Sequence, residues 1–406
     1  MRYVAVCSVS PGVPCVFTAP TRPAPAGVAV VLGTRPELVK MAPLVRALGA
    51  EARVIHTGQH YDDSLSGRFL AELGLPEPTL LAGVGGQTRA VQISVALAQL
   101  DAEFAARPPR AVVVQGDTNA ALSGALAANA RGIPLVHVEA GLRSHDRAMP
   151  EEHNRVLIDQ LSDVLCAATE DNRANLLAES IPAGRIAVTG NTVVEAVRDT
   201  LPSDAERAAL LAGHGLTPDS YVLATVHRPE NTDDPAALRA VLTELAALAE
   251  RLPVLVPLHP RTRARAEAAG LDGLLAALTL LPPIGYGEFL ALARHAALLV
   301  SDSGGVQEEV TVLGRPLVVV RRSTERPEAV AAGFAELVEP GPEVGRAARR
   351  VLDEGRAGLH RLAATPSPFG DARASRHIVE LLAALVGESS TPDPAAGTAS
   401  PVPAAA

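Results

Sequence analysis

Residues 111–119 read Ala-Val-Val-Val-Gln-Gly-Asp-Thr-Asn, and residues 134–143 read Pro-Leu-Val-His-Val-Glu-Ala-Gly-Leu-Arg. Pro-Glu-Glu-His-Asn-Arg follows at 150–155. The apolar runs 111–114 and 134–138 are short and uninterrupted, the pattern of strands buried on both faces in a parallel sheet. Asp117 and Glu139 each follow the end of one run. In an open α/β sheet, the loops at the carboxyl ends of the strands line the ligand crevice. Two carboxylates are therefore predicted to face one cleft, with Glu151 at the start of the next helix. Three convergent acids suit proton transfer to and from a substrate. The plainer reading makes Asp117 and Glu139 helix N-caps or solvated loop acids; it explains either residue alone better than the three together.

The same alternation extends in both directions. A strand at 28–32 runs into Gly33-Thr34-Arg35-Pro36-Glu37 and a helix carrying Lys40. Pro36 suits the first helical position, and a strand, Gly turn and helix start form an anion site with Arg35 and Lys40 beside it. The Gly-x-Gly-x-x-Gly spacing of a dinucleotide site is absent. Further strands are expected at 53–57, 163–168 and 186–189, with helices at 87–104 and 171–179. Residues 200–220 read as a connector. A second α/β unit begins with a strand at 221–226 that leads into His227-Arg228-Pro229-Glu230-Asn231. Its strand at 253–258 ends in His259-Pro260-Arg261. Its strand at 298–300 runs into Ser301-Asp302-Ser303-Gly304-Gly305, opening a helix with Gln307, Glu308 and Glu309. Paired glycines at such a turn let bare N–H groups approach a phosphate. A strand at 316–320 precedes Thr324-Glu325-Arg326-Pro327-Glu328.

The expected architecture is two Rossmann-like doubly wound α/β domains, residues 27–200 and 201–372, facing across a cleft. An amphipathic helix at 373–387 is expected to return to the first domain. Residues 1–26, with Pro11, Pro14, Pro20, Pro23 and Pro25, read as a disordered extension or a misplaced start rather than a signal peptide. Residues 388–406 read as a disordered tail of small and polar residues.

At 406 residues the chain suits two domains, each with its own core. Aromatics make up 2% and Trp is absent, so the 48% hydrophobic content must pack as Ala, Val and Leu. No apolar run approaches the roughly 18–20 residues that cross a membrane. A net charge of −9 argues against nucleic acid and anionic lipid as partners, but a helix N-terminus and a few arginines suffice for a small anion. Cys7, Cys15 and Cys166 form neither a disulfide framework nor a zinc pattern, which fits a cytoplasmic protein. Among 36 basic residues, Lys40 is the one lysine. Either a surface lysine survived by chance, or this position requires a compact ammonium that a guanidinium cannot replace.

In this order, these segments resemble the non-hydrolysing UDP-N-acetylglucosamine 2-epimerases. The matching pieces are Gly33 to Glu37, Gly116-Asp117-Thr118, His137 to Arg143, Pro150-Glu151-Glu152 with Asn154-Arg155, Gly190-Asn191-Thr192, His227-Arg228, Asp302 to Glu309, and Thr324 to Glu328. They span residue 28 to about 385. The resemblance implies a glycosyltransferase-B-like fold, a homodimer, a UDP-sugar substrate and no cofactor or metal. It also implies interconversion of UDP-N-acetylglucosamine and UDP-N-acetylmannosamine through an enzyme-bound 2-acetamidoglucal, supplying a cell-surface polysaccharide precursor. Carried over by motif, the catalytic set is Asp117, Glu139, Glu151 and His227. Arg35, His227, Ser303, Gly304 and Gly305 grip the phosphates, and Glu309 holds the ribose hydroxyls. Lys40, Arg143, Arg155 and Arg326 complete the charge around the cleft, and Phe289 lies near the uracil. Two departures stand out. Gln59-His60 is followed by Tyr61-Asp62, unlike members with a second, regulatory nucleotide-sugar site, and Val310 replaces a common Ala.

Rival readings keep the fold and change the chemistry. One is a 2-epimerase of a UDP-2,3-diacetamido uronic acid, with the same acids. Another is a glycosyltransferase, which rarely needs three acids around C2. A third is a catalytically dead sugar-nucleotide sensor, which intact acids, His227 and Lys40 argue against.

Overall fold

The computed structural model describes residues 27–59 and 67–388. The expectations for residues 1–26, for His60-Tyr61-Asp62 and for residues 389–406 lie outside them. Among the described residues, thirteen strands form: β1 Val28–Leu32, β2 Ala52–His56, β3 Thr79–Leu80, β4 Ala111–Gln115, β5 Leu135–Ala140, β6 Val164–Ala167, β7 Ile186–Val188, β8 Val222–Thr225, β9 Val254–Pro257, β10 Thr279–Leu281, β11 Leu298–Ser301, β12 Leu317–Val320 and β13 Ala335–Val338. They make a seven-stranded sheet, order β3-β2-β1-β4-β5-β6-β7, and a six-stranded sheet, order β10-β9-β8-β11-β12-β13. The strand pairs are parallel, and the central strands β1, β4 and β11 are buried along their whole length. That burial follows from helices covering both faces, and it is why these strands read as unbroken apolar runs.

Small residues set how closely the helices sit. In the helix Asn119–Ala130, a Cβ on Gly124 would lie 2.9 Å from the Val114 side chain and 3.1 Å from that of Val31. Only glycine lets this helix rest directly on β1 and β4. The helix Val193–Thr200 lies between the lobes: Ala196 packs in the first core, and Val193, Val194 and Val197 in the second. The final helix, Ala374–Glu388, packs on the first lobe, burying Ile378 and Leu382 beside Leu38, Val39 and Met41.

Two local readings need correction. The segment 200–220 is not a bare connector, because it contains the helix Asp204–Gly213, opened by a full capping box between Ser203 and Glu206. Glu139 does not follow β5 but lies within it. The strand runs to Ala140, with a register break between Val138 and Ala140 and a left-handed φ of 68° at Glu139. Such a bulge re-aims a side chain without ending the strand.

Candidate functional site

Strand order reverses between β1 and β4 in the first sheet and between β8 and β11 in the second. Crevices at such switch points are where open α/β sheets bind ligands. The loops leaving these four strands carry Gly33 to Pro36, Gly116 to Thr118, His227-Arg228 and Asp302 to Gly305. A cavity of about 370 Å³ lies between the lobes. Arg35, Lys40, His227, Phe289, Ser303, Gly305 and Glu309 line it, together with Tyr286 and His259.

The helix Gly304–Leu313 begins at the cavity wall, with Ser303 as its N-cap and no side chain capping its first N–H groups. Those N–H groups and the helix dipole favour an anion. His227 is held from behind: the Asp302 carboxylate accepts from the His227 N–H at 3.0 Å, the Arg228 N–H at 2.9 Å and Asn231 Nδ2 at 3.0 Å. His227 Nδ1 lies 3.1 Å from the same carboxylate. Glu309 accepts from the Tyr286 hydroxyl at 3.0 Å. Burial, with Glu308 nearby, pushes its carboxyl up to about 7. The apolar wall formed by Pro257, Ile284 and Phe289 suits a flat ring.

Lys40 connects this cavity to the acids. Its Nζ donates to the Glu139 oxygens at 2.7 and 2.9 Å and lies 2.7 Å from Glu308 Oε2. Burial opposes the ammonium, but Glu139 and Glu308 together outweigh it and raise its pKa. Glu139 also accepts from Gln115 Nε2 at 2.6 Å and from Arg326 Nη2 at 3.1 Å. Arg326 continues to Glu308 at 2.7 Å and to Glu325 at 2.5 Å. Burial alone would push the Glu325 carboxyl up; Arg326, Arg321 and Arg155 reverse this and hold it well below the usual range.

Asp117 is partly exposed and paired with Arg155, which also donates to Glu152 at 2.6 Å. Asn154 donates to the Asp117 carbonyl at 2.8 Å. Because Glu325 interacts with both Arg155 and Arg326, the Asp117 cluster adjoins the Lys40 cluster. Glu151 is half-buried in the first turn of the helix Pro150–Leu161.

Of the residues singled out in the sequence, Asp117, Glu139, Glu151, Arg143, Arg155, Gly304 and Arg326 do not line the cavity. Gly304 sits behind it, where a Cβ would lie 2.8 Å from an Arg326 nitrogen. Arg143 is buried elsewhere, donating to Asp159 at 2.7 Å and to Glu179 at 2.6 and 2.7 Å. Asp159 also holds His137 Nδ1 at 2.6 Å, so Arg143 braces β5 rather than the cavity. Asp302, Glu308 and Tyr286 also belong to the region of the cavity, with no role legible in the sequence. The first two lie in the stretch that supplied Ser303 and Glu309, and Tyr286 stands one helical turn before Phe289.

Comparison with known proteins agrees with this fold. The family model described as UDP-N-acetylglucosamine 2-epimerase matches residues 44–383. The UDP-N-acetylglucosamine 2-epimerase of Methanocaldococcus jannaschii is 38% identical over 87% of this chain and 98% of its own. Its crystal structure in complex with UDP-GlcNAc and UDP superposes with a TM-score of 0.79 at 36% identity, covering 88% of this chain and 99% of that one. The UDP-2,3-diacetamido-2,3-dideoxy-D-glucuronate 2-epimerase of Pseudomonas aeruginosa is 35% identical over 87% of this chain and 99% of its own.

Proposed function

The chain belongs to the UDP-N-acetylglucosamine 2-epimerase family, and on that basis we propose that it interconverts UDP-N-acetylglucosamine and UDP-N-acetylmannosamine. One observation carries the reading. The cavity that opens on the N-terminus of the helix Gly304–Leu313 also opens on Lys40, whose ammonium is bonded to Glu139. That adjacency supports a phosphate cradle and a proton-transfer acid acting on one substrate.

In the proposed reaction, a carboxylate removes the C2 proton as the C1–O bond to UDP breaks, leaving 2-acetamidoglucal. The C2 proton is weakly acidic, so its removal needs a placed base and a stabilised leaving group. The first turn of the helix Gly304–Leu313, with Arg35 and His227, retains the diphosphate between departure and return, since free UDP would end the cycle. UDP then adds back at C1 while a second acid delivers a proton to the opposite face of C2. Asp117, Glu139 and Glu151 supply the carriers for both faces. Glu309 and Phe289 take the ribose and uracil. The reading carries with it a homodimer, a cytoplasmic location, and a division near residue 200 into an acid-bearing and a UDP-binding domain. Light scattering in solution tests the first.

The reaction is tested by incubating the protein with UDP-N-acetylglucosamine in deuterated water and following C2 by proton NMR. Deuterium should enter C2 as the manno epimer appears. Failure to exchange in a folded, UDP-binding sample would refute the reading. The similarity to the P. aeruginosa enzyme supports a second reading, with a UDP-2,3-diacetamido uronic acid as substrate. The same assay with that sugar nucleotide separates the two.

A further inference from the structure

Four buried charges close a ring between the lobes. Lys40 meets Glu139 at 2.7 Å, Glu139 meets Arg326 at 3.1 Å, Arg326 meets Glu308 at 2.7 Å, and Glu308 returns to Lys40 at 2.7 Å. Their side chains are 5%, 8%, 9% and 1% exposed for Glu139, Lys40, Arg326 and Glu308 respectively. Each lobe contributes one cation and one anion, and two of the four contacts cross the gap. Glu308 has no place on the cavity wall. Its Oε1 accepts from Arg326 and, at 3.2 Å, from Asn191 Nδ2. Its Oε2 makes no aligned hydrogen bond, so its hold on Lys40 is that of a charge at short range.

We propose that Glu308 is a positioning residue for the reaction: from the second lobe, it fixes Lys40 and Arg326 and through them the carboxylate of Glu139. The proposal rests on the epimerase reading, in which Glu139 is a proton carrier. Two cations bonded to one carboxylate repel each other unless a second anion lies between them, and at this burial the repulsion is little screened. With Glu308 neutral, Lys40 and Arg326 would part, and Glu139 would lose the fixed geometry that proton transfer requires.

The experiment uses the full-length protein. Glu308→Gln keeps the shape and removes the charge. It should lower kcat about 100-fold, with KM and the UDP dissociation constant within about threefold of wild type. UDP titration by calorimetry counts the folded sites, so misfolding does not pass for slow chemistry. Glu308→Asp restores the charge and should recover at least about tenfold of the lost kcat. Wild-type kcat in Glu308→Gln, an equal loss of UDP affinity, or no recovery in Glu308→Asp overturns the proposal. If Glu308→Gln does not fold, Glu308→Asp is compared with wild type: slower turnover at unchanged UDP affinity supports the proposal, and unchanged turnover overturns it.

A second readout does not depend on the reaction. Lys40 is the one lysine in the chain, so lysine-selective ¹⁵N labelling yields a single ammonium signal. In the wild type its protons should exchange slowly with water; in Glu308→Gln, which removes the charge, exchange should accelerate, and an unaltered signal in that variant overturns the proposal. A wild type that binds UDP and shows this signal, but neither epimerises nor exchanges at C2, refutes the epimerase reading and leaves the role of Glu308 to be decided by the ammonium signal.

Discussion

Glu139 occupies the left-handed region, φ 68°, in mid-strand. For a residue with a side chain that conformation costs on the order of 1–3 kcal/mol and persists only where the surroundings impose it. Here Lys40, Gln115 and Arg326 impose it by bonding the carboxylate from three sides. Glu139→Gln is nearly isosteric and cannot carry the proton. Turnover should fall by about 10²–10⁴ while UDP affinity, measured by calorimetry, stays close to wild type. A variant that still epimerises at the wild-type rate removes Glu139 from the chemistry. Glu37 allows a different test. Its carboxyl accepts from the Gly33 N–H at 3.0 Å, Thr34 Oγ1 at 2.8 Å and Thr118 Oγ1 at 2.7 Å, yet burial dominates and pushes it up to about 7 from 4.5. Between those values the native state holds a proton that the unfolded chain has released. Stability therefore declines as pH rises through that window, by up to about 3 kcal/mol from this group. Relative to wild type, Glu37→Gln should gain stability between pH 5 and pH 8 in urea unfolding. A difference that does not vary with pH contradicts the assignment.

Two adjacent glycines at one helix start have different work. A Cβ on Gly304 would meet Arg326 at 2.8 Å and Glu325 at 3.1 Å, whereas one on Gly305 finds its nearest neighbours at 3.9 and 4.0 Å. Gly305→Ala should therefore fold normally but place a methyl group where the proposed diphosphate meets the helix N–H groups. Losing one charge-assisted hydrogen bond costs about 1.5–3 kcal/mol, so UDP binding should weaken about 10- to 100-fold by calorimetry. Wild-type UDP affinity in Gly305→Ala would show that the diphosphate does not dock on this turn. Gly304→Ala should instead reduce turnover by displacing Arg326 from Glu139. Sequence alone located this helix start because a buried strand, a turn and paired glycines give a local signal. It also located the central strands, where burial on both faces leaves unbroken apolar runs. The edge strands β3 and β10 are two and three residues long and partly exposed, so neither leaves such a run. The helix Asp204–Gly213 was hidden by the surrounding Pro202, Gly213 and Gly215, although Ser203-Asp-Ala-Glu206 is a capping-box pattern. Glu308 and Arg143 were not legible for another reason. Their partners are Lys40 and Asp159, reached through the tertiary fold, and no local pattern distinguishes a carboxylate that completes an inter-lobe ring from one that lines the cavity.

At the scale of the whole molecule, the chain passes between the lobes twice, and the two crossings touch. It leaves the first lobe through Gly190-Asn191 and the helix Val193–Thr200, and it returns through Phe369-Gly370 to the helix Ala374–Glu388. The Asn191 N–H donates to the Phe369 carbonyl at 2.8 Å. A Cβ on Gly190, at φ 81°, would press on that same carbonyl at 3.1 Å. The last helix thus completes a core that begins some 350 residues earlier in the chain, at Val28, and Ile378 is wholly buried there. Truncating it to alanine removes three carbons from a site that cannot fully collapse, which costs about 2–5 kcal/mol. The groups proposed to react depend on other contacts: Lys40 is held by Glu139 and Glu308, and the turn proposed to take the diphosphate lies on the opposite lobe. Ile378→Ala should therefore lower the urea midpoint substantially, while UDP affinity measured far below that midpoint stays within about twofold of wild type. Weakened UDP binding in the folded variant would mean that the returning helix sets the position of Arg35 and Lys40 across the cleft, and that the two crossings transmit strain to the site rather than only holding the lobes together.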